Sequence, residues 1–281
     1  MKRSRFRQPT ILPGFGLTLG FTTFFLSVLV LMPLAALVLR AGSMSPADFL
    51  HVVLDPRSVA SYRLSFGAAL LAGAVNAVFG FIVAWTLVRY DFPGRRLVDA
   101  AIDLPFALPT AVSGIALAAV FAPTGWLGQQ LAAAGVQVAY TWVGVVVALT
   151  LIGLPFVVRS VQPALIEVQR DLEDAAETLG ARPLQIFRRI ILPAVLPALV
   201  TGFTMAFARG LGEYGSVVFI SGNLPLKTEI TPLLIVIKLE QFDYDGAAAL
   251  GLVMLVMSFL MLFAINLVQA WGRRRQVAAR N

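Results

Sequence analysis

Cysteine is missing, histidine occurs once, and Asp, Glu, Lys and Arg together make up only 13% of the 281 residues. Without cysteine there is no disulfide framework, no thiolate nucleophile and no thiolate-ligated metal. His51, flanked by no other ligand-type residues, reads as a solvated loop residue, so no metal site is expected. A nucleotide-binding loop is also lacking. The nearest match, GNLPLKT at 222–228, has Leu226 where a phosphate-binding loop needs glycine before the lysine. Nor do the apolar stretches carry the chain of carboxylates and histidines that proton coupling uses. If the chain takes part in active transport, its energy enters from a partner.

What the sequence does have is hydrophobicity. With 58% apolar residues and a strongly positive mean hydropathy, the chain exceeds what one soluble core can bury. A membrane helix needs about 20 apolar residues to cross the ~30 Å of hydrocarbon. Six stretches meet that length: 15–39, 62–88, 101–121, 140–158, 194–220 and 247–270. The fold class is therefore an all-α, polytopic membrane protein with six transmembrane helices. The first stretch follows basic residues but is too long for the apolar part of a cleaved signal, and reads as an uncleaved signal anchor.

The net charge of +7 is a topology signal before it is a nucleic-acid signal. With both termini cytoplasmic, sixteen of the 22 Lys and Arg residues fall in inner segments: Lys2, Arg3, Arg5, Arg7, Arg89, Arg95, Arg96, Arg159, Arg170, Arg182, Arg188, Arg189, Arg273, Arg274, Arg275 and Arg280. Arg40, Arg57, Arg63, Lys227 and Lys238 fall outside or at outer helix ends, and Arg209 inside a span. Trp85, Trp126, Trp142 and Trp271 all sit near span ends, where indole rings concentrate. No nucleic-acid partner is expected. Along the chain this gives residues 1–60 as the N-terminus, first helix and outer loop, 61–270 as a five-helix core, and 271–281 as a basic cytoplasmic tail.

Two polar features interrupt this pattern. The inner loop at about 161–193 contains DAAETLGARPLQIFRRIILP from Asp174 to Pro193. An amphipathic helix over 162–179 would place Leu165, Val168, Leu172, Ala175 and Leu179 on one face. Gly180 supplies a left-handed stop and Pro183 a helix start, so two helices should meet at a corner. Within the spans, Arg209 and Glu213 are the only deep ionisable residues, and four-residue spacing lets them pair on one helix face. They either fix helix packing or line a path for an anion. Gly210, Gly212 and Gly215 beside them permit close helix approach or irregular backbone. An echo, LPFALPTAVSG at 104–114 and LPAVLPALVTG at 192–202, is open to two readings: a shared helix-start signal or a structural repeat.

The spacing Asp174-Ala175-Ala176, Gly180, Ile190, Leu192, Pro193 resembles the signature loop of binding-protein-dependent ABC transporter permeases, with Asp174 in place of the usual Glu. That resemblance implies a type I ABC importer permease fold and a loop, about 175–187, that docks in a cleft of an ATPase subunit. Asp174, Ala175, Ala176, Glu177, Gly180, Arg182, Pro183 and Phe187 are its candidate residues. Further stretches, RYDFPGRRLVDAAIDLPFALPTAVSG at 89–114, ARGLGEYGSVVFISGN at 208–223 and KTEITPLLIVIKLEQFDY at 227–244, resemble the T (or U) subunit group of sulfate/thiosulfate permeases. The resemblance implies a non-catalytic subunit of an inner-membrane importer. Its implied partners are a paralogous permease, two ATPase subunits holding ATP and magnesium, a periplasmic sulfate/thiosulfate-binding protein and membrane lipid. The chain itself is expected to hold no cofactor. Arg209, Glu213, Gly212, Thr110 and Ser113 are the candidate path residues, and the polar loop 221–246 is a candidate docking surface. A molybdate or tungstate permease is the near alternative, and an ATP-independent anion channel or carrier the distant one.

Overall fold

The computed structural model describes the backbone of residues 14–278 except 169, and side chains up to 267 with residue 170 also left out. The basic residues Lys2, Arg3, Arg5 and Arg7 and Arg280 of the tail lie outside the described residues, as do the side chains of Trp271, Arg273, Arg274 and Arg275. Among the described residues every element is helical. Helices α1 (Phe15–Leu26) and α2 (Met32–Gly42) form one 28-residue apolar rod through a π turn at Ser27–Leu31, and nothing in α1 is buried. Short α3 (Pro46–Val53) leads into the 34-residue α4 (Pro56–Arg89).

Next come α5 (Arg95–Ile102), α6 (Leu104–Ala107), α7 (Thr110–Phe121), α8 (Trp126–Ala133) and the 26-residue α9 (Trp142–Glu167). The chain continues through α10 (Arg170–Thr178) and α11 (Pro183–Ile186), then a second π turn at Phe187–Ile191 and α12 (Leu192–Leu211). It closes with α13 (Val217–Ile220), α14 (Thr231–Glu240) and α15 (Tyr244–Ala278).

The two π turns have one cause. Each ends two residues before a proline, Pro33 or Pro193. Proline cannot bond the carbonyl four residues back, and a widened turn relieves the ring's clash with it. Pro183–Leu211 is therefore one 29-residue rod reaching well into the inner loop, rather than a helix starting at 194.

Five rods are long and apolar enough to cross a membrane, and the bent pair α7 and α8, angled at 46°, gives a sixth if taken as one broken span. The continuous helix expected over 101–121 is corrected: the chain breaks at Asp103 and again at Leu108 and Pro109, where ψ values of 136° and 134° are extended. The helix expected over 194–220 also breaks, ending at Leu211 and resuming only at Val217. Glycines at 210, 212 and 215 remove the side-chain packing that would hold helix there. The 162–179 amphipathic helix is likewise divided, since α9 ends at Glu167 and Val168 is extended, with ψ 102°. Leu165 and Val168 are core residues of the bundle, whereas Leu172 and Leu179 point out. The echo adopts two different backbones: Pro109 caps α7 in extended geometry, while Pro197 lies inside α12. It does not describe a shared structural unit.

Helices α4, α9 and α12 pack together as the central trio. Toward the C-terminal end of α12, Phe66, Leu149, Phe207, Val217, Ile220 and Leu250 share one buried cluster. Toward the N-terminal end of α12, Leu87, Val157, Val161, Leu165, Ile191 and Val195 share another. Lipid is as apolar as these side chains, so close van der Waals approach decides which faces meet. Gly202 shows this: a Cβ there would lie 2.8 Å from the Cα of Val157. Asn76 is fully buried in this trio with neither amide atom hydrogen-bonded.

Candidate functional site

The C-terminal end of α12 builds the first candidate site. Arg209 Nη1 donates to Glu213 Oε2 at 2.6 Å, across the break rather than along a continuous helix. The other carboxylate oxygen, Oε1, accepts from Ser216 N at 2.9 Å and Ser216 Oγ at 3.1 Å. Glu213 thereby replaces the intrahelical partners missing at the start of α13, as a capping carboxylate does. Its side chain is only 2% exposed, against 36% for Arg209. Behind Glu213 lies a pinhole of about 10 Å³ lined by Ser65, Leu149, Gly210, Val217 and Pro232 among others. That volume is near the ~10–15 Å³ minimum for one water, too small for a tetrahedral anion. The two charges thus have different standing: Glu213 is enclosed and committed to its bonds, while Arg209 keeps donors open.

Thr110 and Ser113 reach this element from α7. A Cβ on Gly215 would lie 2.2 Å from Thr110 Oγ1, and one on Gly114 would lie 2.3 Å from the carbonyl oxygen of Ser216. Ser113 is buried and Gly212 exposed. Along α12, Ala194, Pro197, Thr201, Met205 and Ala208 lie three or four residues apart and are all exposed, ending at Gly212. Arg209 stands beside this open stripe.

The loop between α9 and α12 builds the second site. Arg209 stands 17 positions beyond Leu192 on the same rod, roughly 26 Å along its axis at the helical rise. Helix α10 presents Leu172, Asp174, Ala175 and Glu177 outward, with Leu179 just beyond it. It ends at Gly180, whose φ of +82° is left-handed, and Ala181 N closes the turn onto the Ala176 carbonyl at 3.0 Å. Arg182 is the N-cap of α11, where its amide donates to Gln185 Oε1 at 2.8 Å and Pro183 takes the first position. Phe187 turns inward, against the rings of Phe81 and Trp85 at 5.9 and 6.4 Å, so it anchors α11 to α4 rather than joining the outward face. Glu173, the carboxylate next to Asp174, pairs with Arg89 at the end of α4.

Other polar groups escaped sequence reasoning because their partners lie far along the chain. Arg159 joins α9 to α5 and α6 through Asp99 at 2.7 Å and Asp103 at 2.5 Å. The hydrogen bond from Gln162, with Arg159 in support, holds the Asp99 carboxyl below its ordinary pKa. Arg57 grips buried Glu229 with two bonds of 2.7 Å, tying the outer loop to α4. Thr231 N donates to Ser65 Oγ at 2.9 Å within a buried hydroxyl group that includes Ser61. The one available signal was the charge of Arg57 and Glu229 in a chain so poor in charge. The GNLPLKT stretch forms a tight turn in which Leu226 adopts φ 66° and Thr228 N bonds the Leu224 carbonyl at 2.9 Å.

These features define a multi-pass membrane protein with an exposed polar helix, α10, between two of its spans. The family model for the inner membrane component of binding-protein-dependent transport systems matches residues 76–276, and the chain belongs to that family. The chain is 49% identical over 265 residues, 94% of its length and 96% of the relative's, to the "Sulfate transport system permease protein CysT" of Salmonella typhimurium. It is 48% identical to the protein of that name from Escherichia coli, over 94% of this chain and 96% of the relative. Against the Synechococcus elongatus one it is 48% identical, over 90% and 91%. Its fold is similar to a bacterial ABC transporter involved in alginate import, with a TM-score of 0.74 at 15% identity over 92% of this chain and 94% of that one. The MetNI methionine transporter in an inward-facing form gives 0.58 at 19%, over 82% and 99%. The architecture is the type I ABC importer permease fold, and the chain is a transport permease of the inner membrane.

Proposed function

We propose that the chain is the membrane subunit through which an ATP-driven importer passes sulfate or thiosulfate. The observation that supports this reading is the 49% identity, over nearly the full length, to a sulfate transport permease. In this reading the subunit pairs with a paralogous permease, both rest on two ATPase copies that hold ATP and magnesium, and a periplasmic binding protein delivers the anion. Both termini lie in the cytoplasm, which follows the inner excess of Lys and Arg.

The exposed stripe from Ala194 to Gly212 faces the partner permease and the path between the two. A dianion cannot enter hydrocarbon without donors or water to replace its hydration shell. Arg209 offers those donors in passing: one N–H is held by Glu213 and the rest of its fork is open. Glu213 keeps the attraction finite, so the anion is released rather than trapped. The open loop around Leu224 and Leu226 serves docking of the binding protein, and outward α10 serves docking of an ATPase. Arg188 and Arg189, exposed near the inner end of the rod, meet the ATPase or anionic lipid headgroups.

The test is uptake of labelled sulfate by the reconstituted complex, competed separately with thiosulfate and molybdate. ATP-dependent uptake blocked by thiosulfate and not by molybdate is expected. Blocking by molybdate alone would assign the cargo to the oxometalates, and uptake without ATP or copurifying ATPase would assign the chain to the channels or carriers.

A further inference from the structure

Helix α10 is joined to its neighbours by non-helical residues at both ends, Val168 before it and left-handed Gly180 after it. Its outward residues are open to solvent: Leu172 is 54% exposed and Leu179, just past its end, 89%. A helix hinged at both ends swings without moving what lies behind it. Something must tie it to the bundle if a push on α10 is to reach the path.

Arg89, the last residue of α4, supplies that tie. Its Nη2 pairs with Glu173, the acidic residue of α10 that turns inward, and also donates to the carbonyl of Val168 at 3.3 Å, where α9 ends. The pair is largely enclosed, with side-chain exposures of 10% for Arg89 and 23% for Glu173. The guanidinium stacks 5.5 Å from the centre of the Trp85 ring. Trp85 in turn meets Phe81 at 6.0 Å and Phe187 at 6.4 Å, which brings the start of the α12 rod into the same cluster. One planar, multi-donor cation therefore joins the ends of α4 and α9 to α10, and its ring cluster adds α11. A fixed fork suits this task better than a flexible ammonium.

We infer that Arg89 and Glu173 form the strut by which movement of α10 is passed to α4, making both positioning residues for coupling. This rests on the reading that α10 docks on an ATPase. In that setting exposed Asp174 and Ala175 meet the partner, while the half-buried Glu173 meets Arg89. The division of labour separates adjacent acidic residues that sequence alone leaves equivalent.

The test uses the whole importer in proteoliposomes, reading labelled sulfate moved per ATP hydrolysed. Glu173→Gln and Arg89→Lys should each lower that ratio about tenfold, within the usual range for a coupling energy between two sites, while ATPase subunits still copurify. The charge-swapped pair Arg89→Glu with Glu173→Arg should recover a substantial part of the ratio. Arg89→Lys keeps the charge and most of the stem, so it remains informative where the swap does not fold. A wild-type ratio in both single variants would overturn the strut, and so would loss of ATPase binding in Glu173→Gln, which would make Glu173 a docking residue. Failure of the wild-type chain to bind any ATPase would instead overturn the coupling reading beneath it.

Discussion

Gly215 lies so close to Thr110 that a Cβ on the glycine would stand 2.2 Å from the threonine hydroxyl oxygen. This contact, with its neighbour between Gly114 and Ser216, seats the broken end of the α12 rod on the first turn of α7. The broken backbone is held in place by contact and by the Glu213 bonds to Ser216, rather than by helical continuity.

Gly114→Val should destabilise the protein by about 1 to 3 kcal/mol, the usual cost of forcing atoms into packed space. The obstacle is the backbone of Ser216, which cannot rotate away as a side chain would. Gly212→Ala is the matched control, since a Cβ there meets nothing within 4 Å. Thermal unfolding of the detergent-purified chain should show a lowered midpoint for the first and none for the second. Equal midpoints would remove the contact from the account.

Arg209→Gln should abolish or greatly reduce sulfate uptake while leaving the complex assembled, because the amide retains polarity but loses the charge that attracts a dianion. Glu213→Gln should act differently, lowering thermal stability through the weakened bond to Arg209 and the cap of α13. Uptake by Arg209→Gln at the normal rate would make the pair a packing device alone.

Gly180→Val should leave membrane insertion intact and uncouple transport from ATP hydrolysis. The space around Gly180 is open, so the cost is conformational: about 1 to 2 kcal/mol for a side chain at left-handed φ. Gly180→Asn, which tolerates that region, should retain more coupling. Transport per ATP measured for both variants gives the comparison, and an identical loss in both would point to a direct contact at Gly180.

The turn before α15 should respond to acid. The hydrogen bond from Lys238, at 2.7 Å, holds the Asp243 carboxyl below its ordinary pKa, and its other oxygen accepts from Gly246 N at 2.8 Å. A lowered folded pKa contributes stability that is complete above the ordinary carboxylate value of about 3.9 and is lost as pH falls through the lowered one. Unfolding midpoints of the wild type should therefore drop below that value more steeply than those of Asp243→Asn. Parallel profiles would show that the cap carries no pH dependence.

Much of the fold was legible because transfer from water to lipid is a local property. The five long rods were all found, since each has its apolar residues in one run. The break at Leu108 and Pro109 was missed although prolines marked it, and the break at 212–216 was legible only as one of two readings of Gly210, Gly212 and Gly215. A hydropathy pattern reads through such residues because they are as apolar as the helix around them. The 162–179 stripe failed for a related reason: Leu165 and Leu172 share a periodicity, but one is buried against α4 and α12 and the other faces out. Periodicity states that a face is apolar and leaves open what covers it.

Composition and the runs of apolar residues were enough to establish a polytopic membrane protein, and the spacing from Asp174 to Pro193 was enough to point to its family. Those properties belong to neighbouring residues or to sums over segments, and no tertiary contact is needed to read them. Folding alone decided that Glu213 is enclosed while Arg209 stays open, that Phe187 turns inward, and that Arg89 takes Glu173 rather than another carboxylate. Each depends on residues brought together from distant parts of the chain, or on a backbone break that changes which way a side chain points. Ion pairs of this kind act only over a few ångströms, a distance that sequence separation does not report.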